Sequence, residues 1–240
     1  VFLITTDEGH ILINTGLEES IDNIRDNMAA LGFRLEDVRI LLTQQAHWDH
    51  TAALADIKEL TGAQMLATPL DARILEDGGF SDPHFGGEES FKPVRVDRII
   101  REGDIIELGE IRLKVHEHPG HTEGSSSYSF VVNENGRDYR VGILNMGTIN
   151  PGKKLVEDPT YPGVAKDFAY TYASQQAMEV DIWVAAHNGQ YNLHDKWQPG
   201  QAYNPDDFVD PYGLLRAVQR LENTYMEQLA DEQRRTVYPD

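Results

Sequence analysis

Apolar residues along the chain recur at two spacings, and the switches between them mark out the elements. Residues 1–6 and 10–14 are short β-type runs separated by Asp7-Glu8-Gly9, which predicts a hairpin. Residues 21–31 place Ile21, Ile24, Met28 and Leu31 at helical spacing and stop at Gly32. Residues 38–43, Val-Arg-Ile-Leu-Leu-Thr, read as a buried strand, and residues 51–60 as a helix ended by Gly62. A strand at 64–68 and a short helix at 70–75 follow, then a Gly-rich loop at 78–87 carrying Phe80, His84 and Phe85. Long ordered loops are uncommon unless they cover something, so this one is either a flap or a surface excursion.

The second half repeats the logic. Residues 99–108 and 111–115 predict a hairpin through Gly109-Glu110. Strands at 125–132 and 139–144 are joined by Asn133-Glu134-Asn135-Gly136. Residues 172–178 read as helical and 181–186 as a buried strand. The segment 210–235 is a long amphipathic helix with Leu214, Leu215, Val218, Leu221, Tyr225 and Leu229 on one face, as a packing helix has. Strands and helices alternating in two similar halves predict an α/β fold arranged as a four-layer sandwich. No linker interrupts it, so residues 1–240 are expected to form a single domain.

Charge narrows the partners. The 21 Lys+Arg against 40 Asp+Glu give −19, which repels phosphate backbones and argues against nucleic acid. Most of that charge serves as a solvated acidic surface. No apolar run approaches the ~20 residues of a membrane span. The chain has no cysteine, so a metal site would draw on His, Asp, Glu or amide oxygen. It opens on Val1-Phe2-Leu3 within a strand, with no signal peptide pattern, so its natural start is expected to lie upstream.

The candidate chemistry lies where the strand 38–43 gives way to helix, at Gln44-Gln45-Ala46-His47-Trp48-Asp49-His50. A His beside an Asp is most often a hydrogen-bonded pair without a metal. Here His47, Asp49 and His50 are three zinc-ligand types within four residues at a strand end, able to serve two adjacent metal positions. His121 follows Pro119-Gly120, and His187 follows the strand 181–186. Each alone would pass for a structural histidine. Together with the first turn they make a convergent set. His116 and His118 are the decoys, while His10, His84 and His194 read as surface, flap and helix residues.

Gln45-Ala46-His47-Trp48-Asp49-His50, Pro119-Gly120-His121-Thr122 and Ala185-Ala186-His187 resemble the zinc motifs of the metallo-β-lactamase superfamily. More narrowly they are similar to class B β-lactamases of the third subclass, in the GOB-type branch, where Gln replaces the usual first His. Phe168-Ala169-Tyr170-Thr171-Tyr172, Asp181-Ile182-Trp183-Val184 and Asn192-Leu193-His194-Asp195-Lys196 resemble that branch as well. The resemblance runs from Val1 to about Leu229 and implies an αββα sandwich, with early strands and a secretory signal missing. It implies one zinc held by Gln45, His47 and His121 and a second by Asp49, His50 and His187, with one or two Zn²⁺ per chain. Met146 stands where lactonases and glyoxalase II carry a bridging Asp, which favours lactamase chemistry.

On that resemblance the chain is expected to be a zinc-dependent hydrolase opening the β-lactam ring by attack of metal-bound hydroxide. Asp49 would both ligate and orient the nucleophile, with Ser125, Ser127, Met146 and His84 contacting a small-molecule β-lactam. The resemblance also implies a monomer in the periplasm or outside the cell, engaging neither nucleic acid nor membrane. The alternatives are a hydrolase of the same fold acting on a lactone or thioester, and a metal-binding protein that has lost hydrolysis.

Overall fold

The computed structural model describes residues 1–237. The chain folds as two compact units, one comprising Val1–Glu117 with Gly124–Ser126, the other His118–Glu123 with the chain from Ser127 on. Each has its own apolar core.

In the first unit β1 (Phe2–Thr6) and β2 (Gly9–Ile13) form the expected antiparallel hairpin, Phe2 opposite Ile13. Helix α1 (Ser20–Ala30) then returns the chain so that β3 (Val38–Leu42) pairs with β2 in parallel. β4 (Gln64–Ala67) and β5 (Arg98–Ile99) extend the sheet in parallel, in the order β1-β2-β3-β4-β5. β2 is buried at every position, which is why it reads as a continuous apolar run and not as an alternation. Ile24 and Met28 of α1 join Leu12 and Leu41 in this core. Between β3 and β5 lie α2 (Trp48–Thr51), α3 (Leu54–Thr61) and α4 (Pro69–Glu76). β6 (Ile105–Leu108) and β7 (Ile111–Glu117) form a second antiparallel hairpin.

The second unit repeats the motif of hairpin, helix and parallel strand. β8 (Ser126–Glu134) and β9 (Arg137–Leu144) pair antiparallel through Asn135 and Gly136, whose φ of 53° and 83° are the left-handed pair of a type I′ turn. α5 (Val164–Gln176) carries the chain over to β10 (Ile182–Ala185), which pairs in parallel with β9. α6 (Leu193–Lys196) is short, and α7 (Gly213–Val237) lays Leu214, Ala217, Val218 and Tyr225 against Phe168 and Tyr172 of α5. The two similar halves of an α/β fold are thus present. Among the described residues no helix is long and apolar enough to cross a membrane.

Four expectations change. The helix expected at 51–60 is two helices, because the His50 carbonyl that would receive the Leu54 N–H accepts from Thr15 N at 2.8 Å instead. The helix therefore begins at Trp48, and Asp49 and His50 sit on it. The run 99–108 splits at Gly103, where φ is 80° and Asp104 N bonds Arg101 O in a turn. The helix expected at 172–178 begins at Val164, directly after Gly163 with φ 96°. His10, expected at the surface, is 6% exposed and meets the Phe33 ring edge-on at 5.1 Å.

Candidate metal centre

The turn after β3 is rigid because polar groups hold it from below. Asn14, at φ 61°, accepts from Gln44 N at 2.9 Å and donates Nδ2 to Gln44 Oε1 at 2.8 Å, with Thr43 Oγ1 3.2 Å from its Oδ1. Thr43 Oγ1 donates to the Gln45 carbonyl at 2.6 Å. The segment Gly124–Ser126 lies alongside, with Ser126 N donating to Gln44 O at 2.9 Å and Thr68 Oγ1 to Gly124 O at 2.5 Å. A side chain at Gly124 would meet Asp71 N at 2.3 Å, so only glycine lets this strap lie so close. Ser125 is thereby placed beside the turn, fully buried.

Gln45, His47 and His50 are all buried, and Asp49 is half-buried. Gln45 Oε1 has no hydrogen-bond partner among the described residues. A buried acceptor left so is costly unless something absent from the polypeptide completes it, and a cation does. His50 Nε2 lies 3.3 Å from Asp49 Oδ2. Two donors bound tetrahedrally at the usual ~2.0–2.1 Å to zinc stand roughly 3.3 Å apart, so the pair already has the spacing of a shared ion. His47 Nε2 lies 3.2 Å from Asp82 Oδ2, so this carboxylate holds one side of the ring. Oδ1 of Asp82 in turn accepts from His84 N at 2.6 Å and Phe85 N at 2.8 Å. Burial would raise the Asp82 carboxyl, but His47 and these two N–H groups outweigh it and hold it down to about 2. The loop is therefore a flap tied to the turn: the Phe85 ring meets His47 edge-on at 5.1 Å, and the His84 ring lies 4.3 Å from Phe85.

In the second unit His121 is 7% exposed, and its Nδ1 donates to the Thr148 carbonyl at 2.8 Å. That bond fixes the tautomer and presents Nε2 as the lone-pair nitrogen. Gly120 before it has φ 128°, and a Cβ there would stand 2.8 Å from the Phe168 ring. Thr171 Oγ1 holds the Pro119 carbonyl at 2.6 Å. His187 comes directly after β10 and is exposed, its N–H donating to Gln190 Oε1 at 3.2 Å.

The family model of the metallo-β-lactamase superfamily matches residues 1–134. The chain belongs to the metallo-β-lactamase superfamily. Among solved structures it is similar to the class B3 di-zinc metallo-β-lactamase LRA-12 from an Alaskan soil metagenome. Identity is 46%, over 95% of this chain and 86% of that one, with a TM-score of 0.91. A β-lactamase from Chitinophaga pinensis is 45% identical over 95% and 86%, with a TM-score of 0.92. GOB-18 from Elizabethkingia meningoseptica is 42% identical over 95% and 85%, also with a TM-score of 0.92. The hydroxyacylglutathione hydrolase of Bradyrhizobium sp. is 31% identical over 138 residues, 54% of this chain and 46% of that protein. The chain thus matches less than half the length of that curated relative.

The remaining residues of this metallo-β-lactamase-superfamily chain divide cleanly. His118 is wholly buried, with Nδ1 2.7 Å from Ser127 Oγ and Nε2 3.1 Å from Ser174 Oγ. Gln175 Nε2 reaches the same Nδ1 at 3.2 Å and donates to Asn145 O at 2.7 Å. Nδ1 accepts both bonds, so His118 is a neutral packing group. Ser127, expected to touch substrate, is fully buried and engaged by His118 and by Asn145 N–H at 2.9 Å. Met146, expected to do the same, is 2% exposed in the core of the second unit. His116 is half-buried 3.8 Å from Glu102, and burial pushes its imidazole below the usual range. Asp82 was absent from the sequence reading. Only its place beside His84 and Phe85, in a loop already suspected of covering something, pointed to it.

Proposed function

We propose that this protein is a zinc-dependent β-lactamase, the whole of residues 1–240 working as one domain on a small-molecule β-lactam. The observation that carries the reading is 46% identity at a TM-score of 0.91, over 95% of the chain, to a class B3 di-zinc metallo-β-lactamase. The donor set supports it: a buried amide oxygen left without a partner at Gln45, and a carboxylate and imidazole 3.3 Å apart at Asp49 and His50. Gln45, His47 and His121 would hold one zinc, and Asp49, His50 and His187 the other. Bound there, zinc supplies a Lewis acid and lowers the pKa of water towards ~7.

The chain's own residues supply position and proton handling. Asp49 offers one carboxylate oxygen as ligand and the other as acceptor for the attacking group's proton. Asp82 and Thr148 fix the ring planes of His47 and His121, so neither imidazole needs to reorganise during the reaction. Ser125 lies beside the first turn but is as fully buried as Ser127, so it shapes the turn and is not offered to the substrate carboxylate, whereas His84 lines the flap. As a β-lactamase of this kind the protein would act in the periplasm or outside the cell and confer antibiotic resistance.

A lactone or thioester hydrolase is the competing reading, favoured by the 31% identity to a hydroxyacylglutathione hydrolase over 138 residues. Turnover of a chromogenic cephalosporin against a thioester of glutathione decides between them. Cephalosporin turnover should vanish with EDTA and return with zinc, and mass spectrometry of the reacting enzyme should show no acylated serine. Thioester turnover without β-lactam turnover, or a stable acyl adduct, refutes the proposal.

A further inference from the structure

Lys153, between β9 and α5, is used by nothing described so far. It is 3% exposed, and its Nζ donates to the carbonyls of His121 at 2.8 Å and Gly120 at 3.1 Å. The ammonium also stands 5.6 Å from the centre of the Tyr161 ring. Its main chain is anchored by α7: Gln228 Nε2 donates to Lys153 O at 2.8 Å, and Glu232 Oε2 accepts from Leu155 N at 2.7 Å and Val156 N at 2.9 Å. Gln228 and Glu232 are themselves bonded at 2.8 Å.

A lysine is rarely buried, because its charge must be desolvated, and the cost is recovered only when its hydrogens are satisfied. Here they meet two successive carbonyls. In extended chain successive carbonyls point opposite ways, so converging on one nitrogen is an imposed conformation. It requires the left-handed Gly120, φ 128°, and a cation between two like-oriented dipoles. The residue whose backbone is so fixed is His121, whose ring is fixed at the other end by Thr148.

We propose that Lys153 is a positioning residue for His121, setting the pitch of the loop that presents this imidazole to its metal. The proposal rests on His121 being a ligand. The His121 site pairs an imidazole with the weaker amide donor of Gln45 and therefore depends most on preorganisation. Removing the ammonium loosens that site and leaves the site of Asp49, His50 and His187 as it was.

The test compares metal-free wild type with K153M, K153R and H121A, titrated with cobalt(II) by visible absorption and with zinc against a chelator, beside urea unfolding curves. K153M should weaken the weaker metal site at least tenfold and leave the tighter unchanged, and K153R, which keeps charge and donors, should recover part of the loss. Wild-type binding at both sites in K153M, or equal weakening of both sites in K153M and K153R, overturns it. Should K153M fail to fold, K153Q, which lacks the charge but keeps a polar side chain, takes its place: selective weakening of the weaker site supports the role, and unchanged or uniform binding refutes it. Metal binding unchanged in H121A would refute the ligand assignment instead, whereas loss in H121A but not in K153M refutes Lys153 only.

Discussion

Replacing Asp82 by Asn keeps the shape of the flap but removes the charge that faces His47. The Asp82 carboxyl is held at about 2 against an ordinary value of 3.8, and its side chain is only 5% exposed, so little solvent screening applies. At 1.36 kcal/mol per pKa unit, the ionised form stabilises the folded chain by about 2 kcal/mol. A depressed carboxylate contributes fully above its unfolded value and loses that contribution as pH falls towards its folded value. The contribution should thus be intact at pH 7, about halved near pH 3 and nearly gone at pH 2. For a chain of this size about 2 kcal/mol corresponds to roughly 4–8 °C in Tm. Urea unfolding of the EDTA-treated protein at pH 7 and pH 3, wild type beside D82N, measures both terms. Equal stability at pH 7 would refute the argument, and so would a gap that stays undiminished at pH 3.

Asp49→Ala would remove the proposed ligand and the proposed acceptor for the nucleophile's proton together, and should lower kcat/KM at least ~10³-fold in steady-state cephalosporin hydrolysis; near-native turnover would rule out that role. The neutral amide of Gln45 should hold zinc less tightly than imidazole, so calorimetric titration of metal-free protein should show two unequal loadings, with Gln45→His drawing them together. Two equivalent zincs in both proteins would contradict it.

Much of this was legible in the chain, and the exceptions share a cause. The β1–β2 hairpin, β3 and the face of α7 announce themselves because their burial follows from their own apolar spacing. α5 does not. Its buried stripe is Val164, Phe168, Thr171, Tyr172 and Gln175, and two of those are polar because they serve the His121 loop: Thr171 on Pro119 and Gln175 on His118. Periodicity cannot register a buried residue whose partner lies fifty positions away. The break between α2 and α3 was hidden likewise, since it comes from Thr15 taking the His50 carbonyl. The histidines and Asp49 were visible as residue types, whereas Asp82 and Lys153 draw their meaning entirely from what they touch. Ser127 and Met146 looked available by position and are consumed by packing.

The parallel pairing of β10 with β9 bears on the order in which the protein assembles. β8 and β9 close through a tight turn, so their pairing is local and quick. β10 must wait for α5 to span the distance between Val141 and its partner Ile182. Closing so long a loop costs chain entropy before any contact repays it, and such pairings come late. His187 is carried in directly behind this strand. A metal bound through His187 therefore recognises only the chain in which β10 has docked, and it withdraws that state from the equilibrium with partly open forms. An ion held through His187 would thus also act as a latch on that strand.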